Sequence, residues 1–511
     1  MHLYYCTPVT QIPAYRCQRE FTAICNDGVT VRSHRVEPYL KDMRAILVDP
    51  AQITPLTQKS RSGSRGAKTI LSPLAIEDIP TPEPPAPSWV RVRPALSGMC
   101  AKDIAFLSGA DLSSPIGVYH PRKPFVLGHE VVGIVEEARK TRTVREGDRV
   151  IIEPSLFCFH KGLPPCRQCQ HGNVHLCENR FREGPLCSGS SIGFSPELGG
   201  GWSEGFLAHE SMLIPVHDIP DQRAVMAEPL ASALHAILKW SGEGETALVI
   251  GSGTMSRLFV LLLSTLYPTL EIGLVYERRS AIREHRSKHQ RNIPAQFSPP
   301  PDIDVGAIRA LGAKHIWRAP SEEIINAIAE WVGACRLRAT SDSLPLLDRG
   351  VDVIFDCRTT SETTDMAVRV LRPGGTLVLV GRGLPSQTTD WSYAWHNELH
   401  IVGSSSYGRE ITGARTFARA KELLAEPTLQ LDQFVTHRYP LEMYEEALTT
   451  AQTGTGASAI KVVLEGPSAV MRKRELAHAS SASQEEELEP PVILAAAAQR
   501  ARHRSAEDAD E

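Results

Sequence analysis

No apolar stretch of this 511-residue chain is long enough to span a membrane. The strongest candidate, LFVLLLSTLY at 258–267, is too short and runs into Pro268, so it reads as a buried helix. An excess of one charge is also lacking. Lys and Arg total 55 against 59 for Asp and Glu, a formal net charge of −4, which gives no electrostatic case for nucleic acid or a lipid surface as partner. The amino-terminal segment MHLYYCTPVTQIPAYRCQRE has no apolar h-region and reads as an extension, not a secretory leader; organellar targeting through its arginines is the alternative. No internal repeat is present.

Cysteine is scarce outside one loop. Of 11 cysteines, seven (Cys6, Cys17, Cys25, Cys100, Cys187, Cys335 and Cys357) are scattered, and four crowd the segment CFHKGLPPCRQCQHGNVHLC. The odd total fits a reducing compartment, with the cytoplasm as the expected location, better than a secreted disulfide framework. Cys158, Cys166, Cys169 and Cys177 follow the spacing C-x7-C-x2-C-x7-C. The C-x2-C pair sets two thiolates on one tight turn, and the flanking pair can complete a tetrahedral sulfur shell around Zn²⁺. Disulfides or free thiols are the alternatives.

The length allows two or three domains. Ordered structure is expected from Met43, where MRAILVDP reads as a strand, after an extension over 1–42. The basic Ser/Gly-rich stretch 56–70 reads as an insertion, and the chain to about 220 is mostly β. After Glu228 the pattern changes. TALVI (246–250), LEIGLVY (270–276), AKHI (313–316), VDVIFDC (351–357) and TLVLVG (376–381) alternate with helical stretches, which predicts a doubly wound parallel sheet. Residues 285–303 interrupt this unit with a proline-bearing insertion. Beyond AIKVVLEG (459–466), the tail 468–511 has the composition of a disordered segment.

Chemistry-bearing residues flank this change. A thiolate, an imidazole and a carboxylate at Cys100, His129 and Glu130 can hold Zn²⁺ and leave a position open, a buried thiol and a core histidine being the alternative. Glu228, in AEPLA, is a further candidate ligand, or else a charge at a helix N-terminus. Gly251, Gly253, Thr254 and Ser256 lie in GSGTMS, a strand-to-helix turn of the kind that cradles a pyrophosphate, with Ser256 in place of a third glycine. Glu277 closes the second strand, where an acid accepts from a ribose 2′-hydroxyl, whereas Arg278 and Arg279 suit a 2′-phosphate; the cofactor is therefore written NAD(P).

Together SGMCAKD (97–103), GHEVVG (128–133), GDRV (147–150), the cysteine loop, GGGWSE (199–204), AEPLA (227–231), GSGTMS (251–256) and LRPGGTLVLVG (371–381) resemble the zinc-dependent medium-chain alcohol dehydrogenase family, in its threonine, sorbitol and glucose dehydrogenase-like branch. The resemblance spans about 43–466. It implies an α/β chain: a mostly-β GroES-like catalytic domain (43–225, rejoined by 405–467) and a Rossmann domain (226–404). It also implies catalytic zinc on Cys100, His129 and Glu130 with Glu228 nearby, structural zinc on the cysteine loop, a small alcohol or carbonyl substrate, and a homo-oligomer. The expected activity is hydride transfer between a secondary alcohol, polyol or sugar hydroxyl and NAD(P). A zinc-free reductase of the same superfamily and a non-catalytic dinucleotide-binding scaffold retaining structural zinc are the alternatives.

Two departures stand out. Lys102 replaces the hydroxyl residue that relays the substrate proton, either as a shuttle or as a surface cation. The Cys158–Cys166 loop is long, which makes Cys187 a substitute for Cys158. Trp391, Trp395 and His396 are candidates for the cleft, with ordinary packing favoured.

Overall fold

The computed structural model describes residues 42–53, 70–71, 73–113, 120–276, 304–318, 321–338, 340–341, 343–381, 389–409, 415–453 and 459–467. The amino-terminal extension, the tail and nearly all of the two insertions lie outside them. Glu277, Arg278 and Arg279 do as well.

Short runs of β-branched and aliphatic residues build two large sheets. One is parallel and six-stranded, in the chain order 3-2-1-4-5-6: His315–Trp317, Glu271–Val275, Thr246–Ile250, Val351–Asp356, Leu371–Leu379 and His400–Gly403. Its central strands are apolar on both faces, as a sheet covered on both sides requires. The apolar run 258–263 is buried inside the helix Thr254–Leu266, which follows the first of these strands. This is the doubly wound arrangement the sequence predicts.

The other large sheet is mainly antiparallel. Trp89–Gly98 is central and pairs with Glu130–Glu137, Phe206–His209 and Lys461–Glu465. The last of these strands comes from the far end of the chain and pairs in parallel with Val435–Pro440. A three-stranded sheet, Leu74–Pro80, Asp42–Val48 and Phe125–Val126, adjoins it. The helix Ala227–Ile237 ties the two halves together: its buried face shares one core with Val132, Ile151 and Val463 of the antiparallel sheet and with Val249, Leu258 and Phe259 of the parallel half.

The cysteine loop is anchored by rings. His160 is buried beside Trp89, Phe157 and His209, and its Nε2 lies 3.1 Å from Ser211 Oγ. Burial, with the nearby His209 and the Arg415 charge, pushes the His160 pKa from 6.5 down to about 3. The folded ring is neutral where the unfolded ring would be charged. Its contribution to stability is therefore complete above about pH 6.5 and is lost as pH falls toward 3. His160→Gln is expected to flatten the fall of the urea midpoint between about pH 7 and about pH 4; an unchanged slope would place that acid sensitivity elsewhere.

Candidate functional site

Strand register assembles the first cluster. The antiparallel pairing sets Gly98 opposite Glu130, so Cys100, just past one strand end, meets His129, just before the other. Gly98 leaves room for the Glu130 carboxylate, because a Cβ there would stand 2.1 Å from Glu130 Oε2. Gly128, at φ 102°, makes the turn into His129 against the Trp202 backbone. The Cys100 thiol, a His129 ring nitrogen and a Glu130 carboxylate oxygen all lie within 4.8 Å of one another. His129 and Glu130 are buried and Cys100 is half-buried.

Charge compensation around the cluster is dense. Asp103, fully buried, accepts from the Cys100 N–H at 3.0 Å, and its other oxygen lies 3.3 Å from His129 Nδ1. Burial opposes a charged imidazole, but Asp103 and Cys100 hold the His129 pKa well above the usual value. Burial and then the Glu130 charge raise the Cys100 thiol. Lys461, also buried, forms an ion pair with Glu130 and donates to the Met99 carbonyl at 3.2 Å. Removing one partner of such a pair leaves a buried charge uncompensated, which costs about 3–5 kcal/mol. Burial lowers and Glu130 raises the Lys461 pKa, with a net upward shift.

Glu228, in the first turn of Ala227–Ile237, is outside the 4.8 Å set. It is in electrostatic range of His129, Glu130, Lys102 and Lys461, and burial raises its pKa. The Lys102 ammonium sits 4.7 Å from the Phe194 ring centroid, and that ring is 5.9 Å from the His129 ring. Lys102 is half-buried, not a freely exposed cation. Trp391 and Trp395 are 45% and 82% exposed, and His396 is exposed as well.

Four sulfurs form the second cluster. Cys166 precedes the short helix Arg167–Gln170, whose single turn brings Cys169 alongside it, and Cys177 follows the turn Val174–Leu176. The thiols of Cys158, Cys166, Cys169 and Cys177 lie within 4.8 Å of one another, and none is in a disulfide. N–H groups point at the sulfurs: Cys166 N and Asn179 Nδ2 donate to Cys158 at 3.3 Å each, and Glu178 N donates to Cys166 at 3.4 Å. Burial works to raise Cys166, but N–H groups and neighbouring thiols bring it down to about 6. Cys158 completes the set, whereas Cys187 turns away, its thiol 3.6 Å from the His160 carbonyl.

The long loop between Cys158 and Cys166 closes through Lys161. This lysine is fully buried and donates to the carbonyls of Asn179, Arg180 and Arg182 at 3.3, 2.7 and 2.9 Å. Both donor sets fit zinc. Four convergent sulfurs suit a closed structural site, and sulfur, nitrogen and oxygen an open one, where a divalent cation would offset a buried thiolate and carboxylate.

The glycine-rich turn lies at the end of Thr246–Ile250. Gly251 has φ 137°, and Gly253 is exposed, with open space where a Cβ would stand. Ser256 fits the third-glycine position, buried, with its hydroxyl donating to the Gly253 carbonyl at 2.9 Å. The Thr254 hydroxyl is committed to the Ile460 carbonyl. Beside the turn, Thr359 is held at φ 49° by Asp356, which accepts from the Arg358 and Thr359 N–H groups. Asp103, Lys461 and Lys161 are absent from the sequence-based assignment. Asp103 has a local signal, a carboxylate three residues after Cys100. Lys461 has a weaker one, a lysine opening an apolar strand.

Residues 86–219 match the alcohol dehydrogenase GroES-like domain and residues 305–426 the zinc-binding dehydrogenase family. The chain belongs to the zinc-dependent medium-chain alcohol dehydrogenases. Relatives include the L-idonate 5-dehydrogenase of Vitis vinifera, 27% identical over 397 residues (74% of this chain, 88% of that protein). The sorbitol dehydrogenase of Macaca fascicularis is 26% identical over 406 residues (77% and 92%). The solved structure of 2R,3R-butanediol dehydrogenase from Bacillus subtilis shares the fold, with a TM-score of 0.57 at 20% identity, covering 83% of this chain and 99% of that one.

Because Asp103 orients His129, Asp103→Asn is expected to weaken zinc binding at the first cluster roughly 10–100-fold while the four-sulfur site keeps its metal. Chelator competition with metal counting checks this; equal loss from both sites would contradict it.

Proposed function

We propose that this chain catalyses the reversible oxidation of a secondary alcohol, polyol or sugar hydroxyl with NAD(P). The observation that carries the reading is the convergence of Cys100, His129 and Glu130 within 4.8 Å, in a chain that also holds a four-sulfur lobe and a dinucleotide turn. Zinc supplies Lewis acidity toward the alcohol hydroxyl and the nicotinamide supplies the hydride acceptor.

The chain's own residues do the rest. Asp103 fixes the His129 ring through Nδ1 and leaves Nε2 to face the cation. Lys461 offsets the Glu130 charge and fixes its direction. Gly251 and Gly253 open the backbone at the start of Thr254–Leu266, whose first N–H groups suit a pyrophosphate. Lys102 Nζ, over the Phe194 ring and in electrostatic range of Glu228, is assigned to receive the proton that the substrate hydroxyl releases. Glu228 is assigned to the same site, beyond the immediate donor set.

The edge strand His400–Gly403, with Ile401 exposed at the end of the parallel sheet, supports self-association into a homo-oligomer. The free thiols support a reducing compartment such as the cytoplasm.

Zinc-loaded protein is expected to reduce NAD or NADP, seen at the reduced-nicotinamide absorbance band, with a member of a polyol, sugar and secondary-alcohol panel. Cys100→Ser should abolish turnover and leave the circular dichroism unchanged. A single zinc at the cysteine loop with turnover intact in Cys100→Ser would instead favour the zinc-free reductase; dinucleotide binding without any turnover would favour the scaffold. Lys102→Met is expected to lower kcat about 100-fold with little change in thermal stability, and an unchanged kcat would remove Lys102 from the chemistry.

A further inference from the structure

The first residue of the dinucleotide helix is bonded to the residue that precedes the strand Lys461–Glu465, whose lysine pairs with Glu130 of the metal cluster. Thr254, at the start of Thr254–Leu266, donates its hydroxyl to the Ile460 carbonyl. Ile460 is itself fixed: its N–H donates to Thr436 Oγ1 at 3.0 Å, and its side chain packs on the core the two halves share. The next residue is Lys461, whose ammonium holds both the Glu130 carboxylate and the carbonyl of Met99, the residue before Cys100. Thr436 also donates to the Lys461 carbonyl at 3.3 Å, and Met99 N–H donates to the Val462 carbonyl at 2.9 Å. One continuous set of bonds thus runs from the helix N-terminus to two of the three donors in the cluster.

We propose that Thr254 is a positioning residue that links dinucleotide binding to metal binding at Cys100, His129 and Glu130. The inference rests on the dinucleotide-dependent reading above. A pyrophosphate placed at the N-terminus of Thr254–Leu266 acts on the turn that carries Thr254. Any adjustment there reaches Ile460 through a hydrogen bond, not through solvent, and Lys461 follows because it is covalently next. The reverse path is equally direct: a cation that redirects Glu130 moves Lys461 and, through Ile460, the helix start. Linkage requires the two effects to be equal in size.

The test is a set of binding titrations, with activity not needed. Affinity for the reduced dinucleotide is measured by its fluorescence in zinc-loaded and chelator-treated protein. Zinc affinity is measured by chelator competition with and without the dinucleotide. Wild type and Thr254→Ser are expected to show the same ratio in both directions, roughly five-fold or more. Thr254→Val, which removes the hydroxyl and keeps the branched shape, is expected to bring the ratio close to one. If Thr254→Val misfolds, Thr254→Ala gives the same readout, alanine being the best helix former. A ratio near one in the wild type, or a ratio in the hydroxyl-free variant equal to wild type, overturns the proposal. A wild type that binds neither dinucleotide overturns the proposed function itself.

Discussion

The pairing of Trp89–Gly98 with Glu130–Glu137 is the constraint on which the rest depends. With Gly98 opposite Glu130, Cys100 two residues past one strand end and His129 one residue before the other bring a thiol and an imidazole together. Strand side chains alternate faces, so a slip of one residue would send Glu130 to the opposite side of the sheet. The lack of a side chain at 98 lets the Glu130 carboxylate take its present place beside Lys461, in the space a methyl group would need.

That packing creates an electrostatic problem, which the surrounding residues offset. A thiol, a carboxylate and a second buried carboxylate at Asp103 share a small, largely buried volume, where uncompensated charge is expensive. Lys461 meets Glu130, His129 meets Asp103, and the remaining demand for positive charge is what a divalent cation would satisfy. The cysteine lobe solves a similar problem with N–H groups aimed at sulfur and with Lys161 bonded to three carbonyls. The two centres differ in kind: four sulfurs saturate a tetrahedral ion, whereas three mixed donors do not.

The sequence was most legible where the chemistry is local. A C-x2-C turn and a glycine-rich strand-to-helix turn each announce themselves within a few residues, and strand–helix alternation disclosed the parallel sheet. Choosing Cys158 over Cys187 was harder, because the decision rests on how Lys161 folds the intervening loop. Lys461 was hidden for a more basic reason. Its partner lies at the other end of the antiparallel sheet's chain path, and nothing in AIKVVLEG reveals which strand it will join. Lys102 is the converse case: its position was plain from the motif, but its place over Phe194 depends on a loop more than ninety residues later.

The strand Lys461–Glu465 also has a consequence for biosynthesis. A nascent chain emerges from the ribosome with Cys100, His129 and Glu130 long before it contains Lys461, and domains tend to fold as they appear. Until that segment is made, the sheet must carry the Glu130 carboxylate without its counter-cation and Trp89–Gly98 without one of its neighbouring strands. Completion of this centre therefore waits for a segment far downstream of its donors, and a polypeptide ending shortly before Lys461 would hold Cys100, His129 and Glu130 without the cation that pairs with Glu130.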